Sequence, residues 1–114
     1  MIPHKTPAIL QALMPTRLWR VDTEKKKIFL TFDDGPVPDL TEWVLDTLKE
    51  KQAKGTFFCV GENVKKFPQI FARIFSEGHS IGNHSQTHLN GWNSSTSSYM
   101  DNVKACQYEI NEHG

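Results

Sequence analysis

Ile28-Phe29-Leu30-Thr31-Phe32-Asp33-Asp34-Gly35-Pro36 is an apolar run that ends on two adjacent carboxylates and a turn. Ile28 to Phe32 is β-branched and aromatic, has the length of a buried strand, and is closed by Gly35 and Pro36. Asp33 and Asp34 are therefore expected where strand becomes loop. In α/β folds the loops at the carboxyl ends of parallel strands converge on one face, and chemistry collects there. Within a strict strand the two side chains point to opposite faces, but at the junction both can reach one cavity from different angles. One could bind a metal while the other takes a proton. The competing use of the pair is to cap the turn before Gly35-Pro36.

Upstream, residues 1–26 contain Pro3, Pro7 and Pro15, which limit any helix to one or two turns near Ile9 to Met14. They read as an irregular arm ahead of a domain spanning 27–114. Lys25-Lys26-Lys27 reads as a solvated strand entry rather than a nucleic-acid patch, which needs more basic residues and interleaved aromatics. The apolar patch Ala8 to Met14 is interrupted by Gln11 and ended by Pro15, a poor signal peptide. The expectation is a cytoplasmic chain, with action at the cell envelope as the alternative.

Downstream, Asp39-Leu40-Thr41-Glu42 has the form of a capping box, and a helix is expected to follow with Leu40, Val44, Leu45 and Leu48 on one face. Trp43 either extends that buried stripe or lines a surface, and the core is the preferred placement. Thr56 to Val60 lacks polar alternation, as expected for a parallel strand covered on both faces. A short helix from Asn63 to Lys66 breaks at Phe67-Pro68 and resumes over Gln69 to Glu77 with Ile70, Phe71, Ile74 and Phe75 inward. Gly78 suits the position just past a helix end. A third strand over His79 to Asn83 leads to His84, and Tyr99, Val103, Cys106 and Ile110 recur at the spacing of a last amphipathic helix. Strand and helix alternate three times, which implies a parallel α/β sheet with right-handed crossovers. Three such strands leave two exposed edges, from which a truncated domain and self-association or poor solubility are expected.

Thirteen basic residues balance thirteen acidic ones, so nothing in the bulk charge draws the chain to nucleic acid or an anionic membrane. No apolar run is long enough for a membrane span. The 114 residues suit one small domain. Cys59 and Cys106 lack metal-type spacing and read as buried small hydrophobes rather than a disulfide.

His84-Ser85-Gln86-Thr87-His88 carries two imidazoles four residues apart, which share a face if they lie on a helical turn. Such a pair arises easily by chance, and its position gives it weight. His84 follows the third strand at the same end of the sheet as Asp33 and Asp34 follow the first. Two histidines and one carboxylate make a three-ligand site with room for water.

Thr31-Phe32-Asp33-Asp34-Gly35-Pro36 and His84-Ser85-Gln86-Thr87-His88 together resemble the first two motifs of the polysaccharide deacetylase family, the NodB homology domain. Gly55-Thr56-Phe57-Phe58 and Gly78 to His84 are similar to that family as well, so the likeness covers about residues 27–90. The resemblance implies a partial distorted (β/α) barrel with about three parallel strands, and a metal-dependent hydrolase that removes N-acetyl groups from an N-acetylglucosamine-containing glycan as acetate. It implies that Asp34, His84 and His88 bind a divalent ion, zinc first and cobalt as the alternative, and that Asp33 is the general base. Ser85 and Thr87 would fix the loop and orient the histidines. The ion would lower the pKa of water and polarise the acetyl carbonyl while Asp33 takes the proton. His79 is assigned a structural role.

The family's later motifs, an Arg-Pro-Pro-aromatic segment, an Asp that tunes a catalytic His, and that His as general acid, are not found after His88. His113 is the one histidine beyond it, and its surroundings, Asn111 to Gly114, do not match. The expectation is a metal-binding part of such an enzyme, feeble by itself. Two other readings are a non-catalytic module that binds metal or glycan and an amidohydrolase of the same fold acting on a small non-sugar amide.

Overall fold

The computed structural model describes residues 5–114. In chain order the elements are α1 (Ala8–Leu13), β1 (Thr31–Asp33), α2 (Leu40–Glu50), β2 (Thr56–Cys59), α3 (Gly61–Lys66), α4 (Pro68–Ser76), β3 (Ser80–Asn83), a 3-10 turn (Gly91–Asn93) and α5 (Thr96–His113). β1, β2 and β3 lie side by side in that order, and both pairings are parallel, as the strand-helix alternation predicts.

Phe32, Phe57 and Ile81 are in register and so share one face of the sheet. That face carries the core: Phe57 and Cys59 of β2 pack with Leu45, Leu48, Val64, Phe71 and Ile74 from α2, α3 and α4. Asp33, Phe58 and Gly82 are in register on the other face. β2 therefore alternates between buried and half-buried positions, whereas its sequence predicts cover on both sides. The helices stand against one face only, as in the wall of a (β/α) barrel, so apolarity on the second face does not mean burial here.

β1 also differs from expectation. The ladder holds Thr31–Asp33 rather than Ile28 to Phe32, with Leu30 O accepting one further bond from Thr56 N–H at 2.9 Å. Ile28 is 83% exposed and Phe29 66%. β1 is an edge strand, and no helix reaches back over residues 28 and 29. Asp33 is consequently the last strand residue, and Asp34 the first of the loop.

α2 has the expected capping box, with the Asp39 N–H donating to Glu42 Oε2 at 3.1 Å. Its buried row is Thr41, Leu45 and Leu48. Leu40 is 60% exposed and Trp43 64%, against the expected inward placement of both. The apolar stripe is real, but the helix is rotated so that Thr41 faces in, where its hydroxyl accepts the Val37 N–H at 2.9 Å. Phe75 is likewise exposed on α4, while Phe71 and Ile74 are fully buried. Arg73 ties α4 to α2 through Asp46 and pairs with Glu77 one turn along its own helix. Gly78 ends the helix at φ 78°, the left-handed conformation that glycine adopts freely.

α1 falls where the prolines permit it, and none of its residues is buried. The radius of gyration, 16.3 Å, exceeds the ~13 Å of a compact chain this long, in keeping with the exposure of nearly every residue from 5 to 30.

His79 is structural, as its position before the third strand suggests. It is buried against Phe57, and its Nδ1 accepts the Gly55 N–H at 3.2 Å. Burial holds its pKa below the ordinary 6.5, helped by the Lys54 and Arg73 charges and opposed by Glu77. The unfolded chain thus takes up a proton where the folded chain does not. The residue's contribution is complete above pH 6.5 and is lost as pH falls through the lowered folded value. Stability to urea should fall as pH drops below 6.5, and His79→Gln should flatten that slope. An unchanged slope in the variant would assign it to other groups.

Gly82 meets the Phe58 ring across the β2–β3 pair so closely that an added Cβ would lie 2.3 Å from Phe58 Cδ1. Gly82→Ala should lower the unfolding free energy by about 1–3 kcal/mol in urea titration, and pairing it with Phe58→Leu should restore part of the loss.

Candidate metal centre

β1 and β3 are separated by β2, so their carboxyl ends lie two strand spacings apart, ~9.6 Å. Side chains must bridge that gap over the end of β2. The backbone around that end is fixed by ladder bonds continuing past the strands: Val60 N–H donates to Gly35 O at 2.9 Å, and His84 N–H donates to Cys59 O at 2.9 Å. Asn63 from α3 adds a bond to the Asp34 carbonyl at 2.8 Å. Asp34 itself adopts φ 70°, which Asp tolerates better than most residues.

In this arrangement His84 Nε2 lies 3.0 Å and His88 Nε2 3.2 Å from the same Asp34 Oδ1. The two imidazole centroids are 4.9 Å apart, and the donor atoms of all three residues lie within 4.8 Å of one another. Ligands held tetrahedrally at 2.0–2.1 Å from a zinc ion stand ~3.3 Å apart. Two imidazole nitrogens and a carboxylate oxygen so placed fit a divalent ion with little adjustment and leave a coordination position for water. The centre sits at the rim, with His84 half-buried and Asp34 and His88 exposed.

The histidines are not on a helical turn. His84 to Asn90 is a loop, with Ser85 at φ 64° and His88 at φ 54°. Each such non-glycine residue costs ~1–2 kcal/mol, so the loop needs outside support. Ser85 N–H donates to Asn83 Oδ1 at 2.9 Å, Leu89 N–H to Ser85 Oγ at 3.1 Å, and Gly61 and Glu62 N–H to the Ser85 and Gln86 carbonyls at 3.0 Å each. Asn102 of α5 accepts from Gln86 and Thr87 N–H at 2.7 and 3.1 Å and donates to Thr87 Oγ1 at 3.1 Å. Ser85 and Thr87 are thus both engaged in holding the loop.

From the sequence, Asn63 and Asn83 figure only as the ends of a helix and a strand, and Asn102 has no assigned role. Asn83 carries a local signal, since an Asn two residues before a loop amide is a common turn device. Asn63 and Asn102 act across 29 and 15 residues, and nothing in their neighbourhoods marks them.

Asp33 projects from the sheet face opposite the core, in register with Phe58, and lies outside the three-donor cluster. A cavity of about 480 Å³ opens beside both aspartates, walled by Val37, Leu40, Val44 and Phe58 among others, and its lining includes neither histidine. Cys59 and Cys106 are buried and free, as expected, with Cys106 Sγ donating to the Cys59 carbonyl at 3.4 Å. Burial, and Cys106 beside it, push the Cys59 thiol up to about 12, and a thiol so firmly protonated is a poor ligand.

Residues 20–114 match the model of the polysaccharide deacetylase family. A peptidoglycan-N-acetylglucosamine deacetylase of Bacillus cereus is 53% identical over 66 residues, 58% of this chain and 24% of the relative. A chitooligosaccharide deacetylase of Rhizobium leguminosarum bv. trifolii is 44% identical over 66 residues, 58% of this chain and 31% of the relative. Among solved structures, a family 4 carbohydrate esterase from Bacillus anthracis superposes with TM-score 0.82 at 32% identity over 94% of this chain and 53% of its own. A family 4 acetyl xylan esterase from Clostridium thermocellum, in complex with a cobalt ion, superposes with TM-score 0.70 at 36% identity over 75% of this chain and 42% of its own. The chain therefore spans a quarter to about half the length of these proteins. With its three parallel strands, its one-sided helical cover and a family match over residues 20–114, the chain belongs to the polysaccharide deacetylase family.

Proposed function

We propose that this chain forms the metal-binding part of a hydrolase that removes N-acetyl groups from an N-acetylglucosamine-containing polysaccharide, of the peptidoglycan or chitin type. The observation that carries the reading is the convergence of Asp34, His84 and His88 within 4.8 Å at the carboxyl ends of two strands, with Asp33 one residue from the first ligand. The names of the relatives, deacetylases of peptidoglycan and of chitooligosaccharides, favour an N-acetylated sugar as substrate.

A divalent ion, zinc first and cobalt as the alternative, supplies a Lewis acid for the acetyl carbonyl and a lowered pKa for water. Asp34, His84 and His88 would hold it, and their commitment to the ion would leave Asp33 as the free carboxylate. Asp33 takes the proton of the attacking water. The water oxygen bonds to the acetyl carbon, the amide C–N bond breaks, and the proton held on Asp33 passes to the departing nitrogen, giving acetate and the amine of the deacetylated sugar. The apolar walls of the cavity beside Asp33, from Val37, Leu40, Val44 and Phe58, offer a surface for the acetyl methyl or a sugar face.

Calorimetric titration with Zn²⁺ or Co²⁺ should give one site, and Asp34→Asn or His88→Ala should weaken it by more than about 100-fold. Asp33→Asn should leave metal affinity near that of the unaltered chain while lowering turnover by about 10²- to 10⁴-fold. Acetate release from N-acetylglucosamine oligomers, acetylated xylan and a small N-acetyl amide would rank the substrate classes. Activity that survives both Asp33→Asn and complete chelation would overturn the assignment.

A further inference from the structure

The structure assigns to Asn102, on α5, the positioning of His88 and with it the metal affinity of the centre; this inference rests on the metal-site reading above. His84 needs no such help, because its backbone N–H continues the β ladder onto Cys59 O at 2.9 Å. His88 lies four residues further on, outside the ladder, at the end of a loop with two left-handed residues. The segment between the histidines is Ser85-Gln86-Thr87, and two of its three N–H groups, those of Gln86 and Thr87, converge on the single oxygen Asn102 Oδ1 at 2.7 and 3.1 Å. The third, of Ser85, goes to Asn83.

The orientation of the Asn102 amide follows from these donors. With its oxygen facing two N–H groups, its nitrogen faces Thr87 Oγ1 at 3.1 Å and donates to it. Two of these three hydrogen bonds fix both the backbone and the side chain of Thr87, directly before His88, and the other holds the backbone of Gln86. Ser85 Oγ secures the far side through Leu89 N–H, so His88 is held between two anchored neighbours. α5 is in turn joined to β3 by Asn83 Nδ2, which donates to the Val103 carbonyl at 2.8 Å. The distance from His88 Nε2 to Asp34 Oδ1 depends on this chain of contacts.

The side chain required at 102 is one with an acceptor for two amides. Asp supplies it, and the Thr87 hydroxyl can turn to donate to the second carboxylate oxygen. Leu supplies none, and leaves both N–H groups unpaired.

The test is Co²⁺ binding to the full chain, followed by calorimetry and by the visible absorption of the bound ion, alongside urea unfolding in chelator. Asn102→Leu is expected to weaken binding by about 10- to 100-fold and to alter the cobalt spectrum, whereas Asn102→Asp should stay within about threefold of the unaltered chain. Lys104→Ala, on the exposed side of the same helix, should leave both readouts unchanged. If Asn102→Leu does not fold, Asn102→Ala carries the same expectation. Asp34-dependent binding that the folded Leu or Ala variant leaves intact, with only the apo stability lowered, overturns the positioning role alone. Equal weakening by Leu and Asp also overturns it. Absence of any Asp34-dependent binding in the unaltered chain overturns the metal-site reading and this inference together.

Discussion

The carboxyl end of β2 is the constraint on which the rest depends. β2 is the middle strand, and just past its last residues it is hydrogen-bonded on both sides, by Val60 N–H to Gly35 O and by Cys59 O to His84 N–H. Those two bonds place the loop after β1 and the loop after β3 at one level, where Asp34 and His84 lean toward each other across the gap. Parallel pairing makes this possible, because it puts the carboxyl ends of all three strands on the same rim. An antiparallel hairpin of the same residues would send one of the two motifs to the opposite end.

The centre is assembled from two unequal halves. Asp34 and His84 come almost directly from the ladder, while His88 depends on a strained loop. Left-handed conformations at Ser85 and His88 persist only where surrounding contacts over-determine them. Here the contacts come from α3, through Gly61 and Glu62 N–H, and from α5, through Asn102. The helices that cover the core are therefore also the supports of the histidine loop. Cys106 illustrates this: fully buried on α5, it donates to the carbonyl of Cys59 that also receives His84 N–H.

The core is one-sided. Leu45, Leu48, Phe57, Val64, Phe71 and Ile74 fill the space between the sheet and its helices, while Asp33 and Phe58 look out from the other face. That asymmetry leaves Asp33 exposed, since a sheet buried on both faces would have no place for an unpaired carboxylate. Apolar surface also remains at Ile28 and Phe29 ahead of the edge strand and at Leu40 and Trp43 on the outer side of α2, the kind of surface that in larger folds meets a neighbouring element.

Read by itself, the sequence determined the order of strands and helices, the capping box at Asp39, the helix end at Gly78, the break at Pro68, the free buried cysteines, the structural place of His79 and the family. These are local matters, set by propensity, by turn chemistry and by short motifs whose residues act on near neighbours. Only the tertiary structure decided which residues of each stripe face inward, because periodicity fixes the spacing of a stripe and not its phase: Thr41 went in, and Leu40 and Trp43 stayed out. It alone decided that β1 begins at Thr31, because burial needs a covering helix that the sequence cannot place, and that the histidine loop is irregular, because its φ angles answer to hydrogen bonds from α3 and α5 rather than to its own residues.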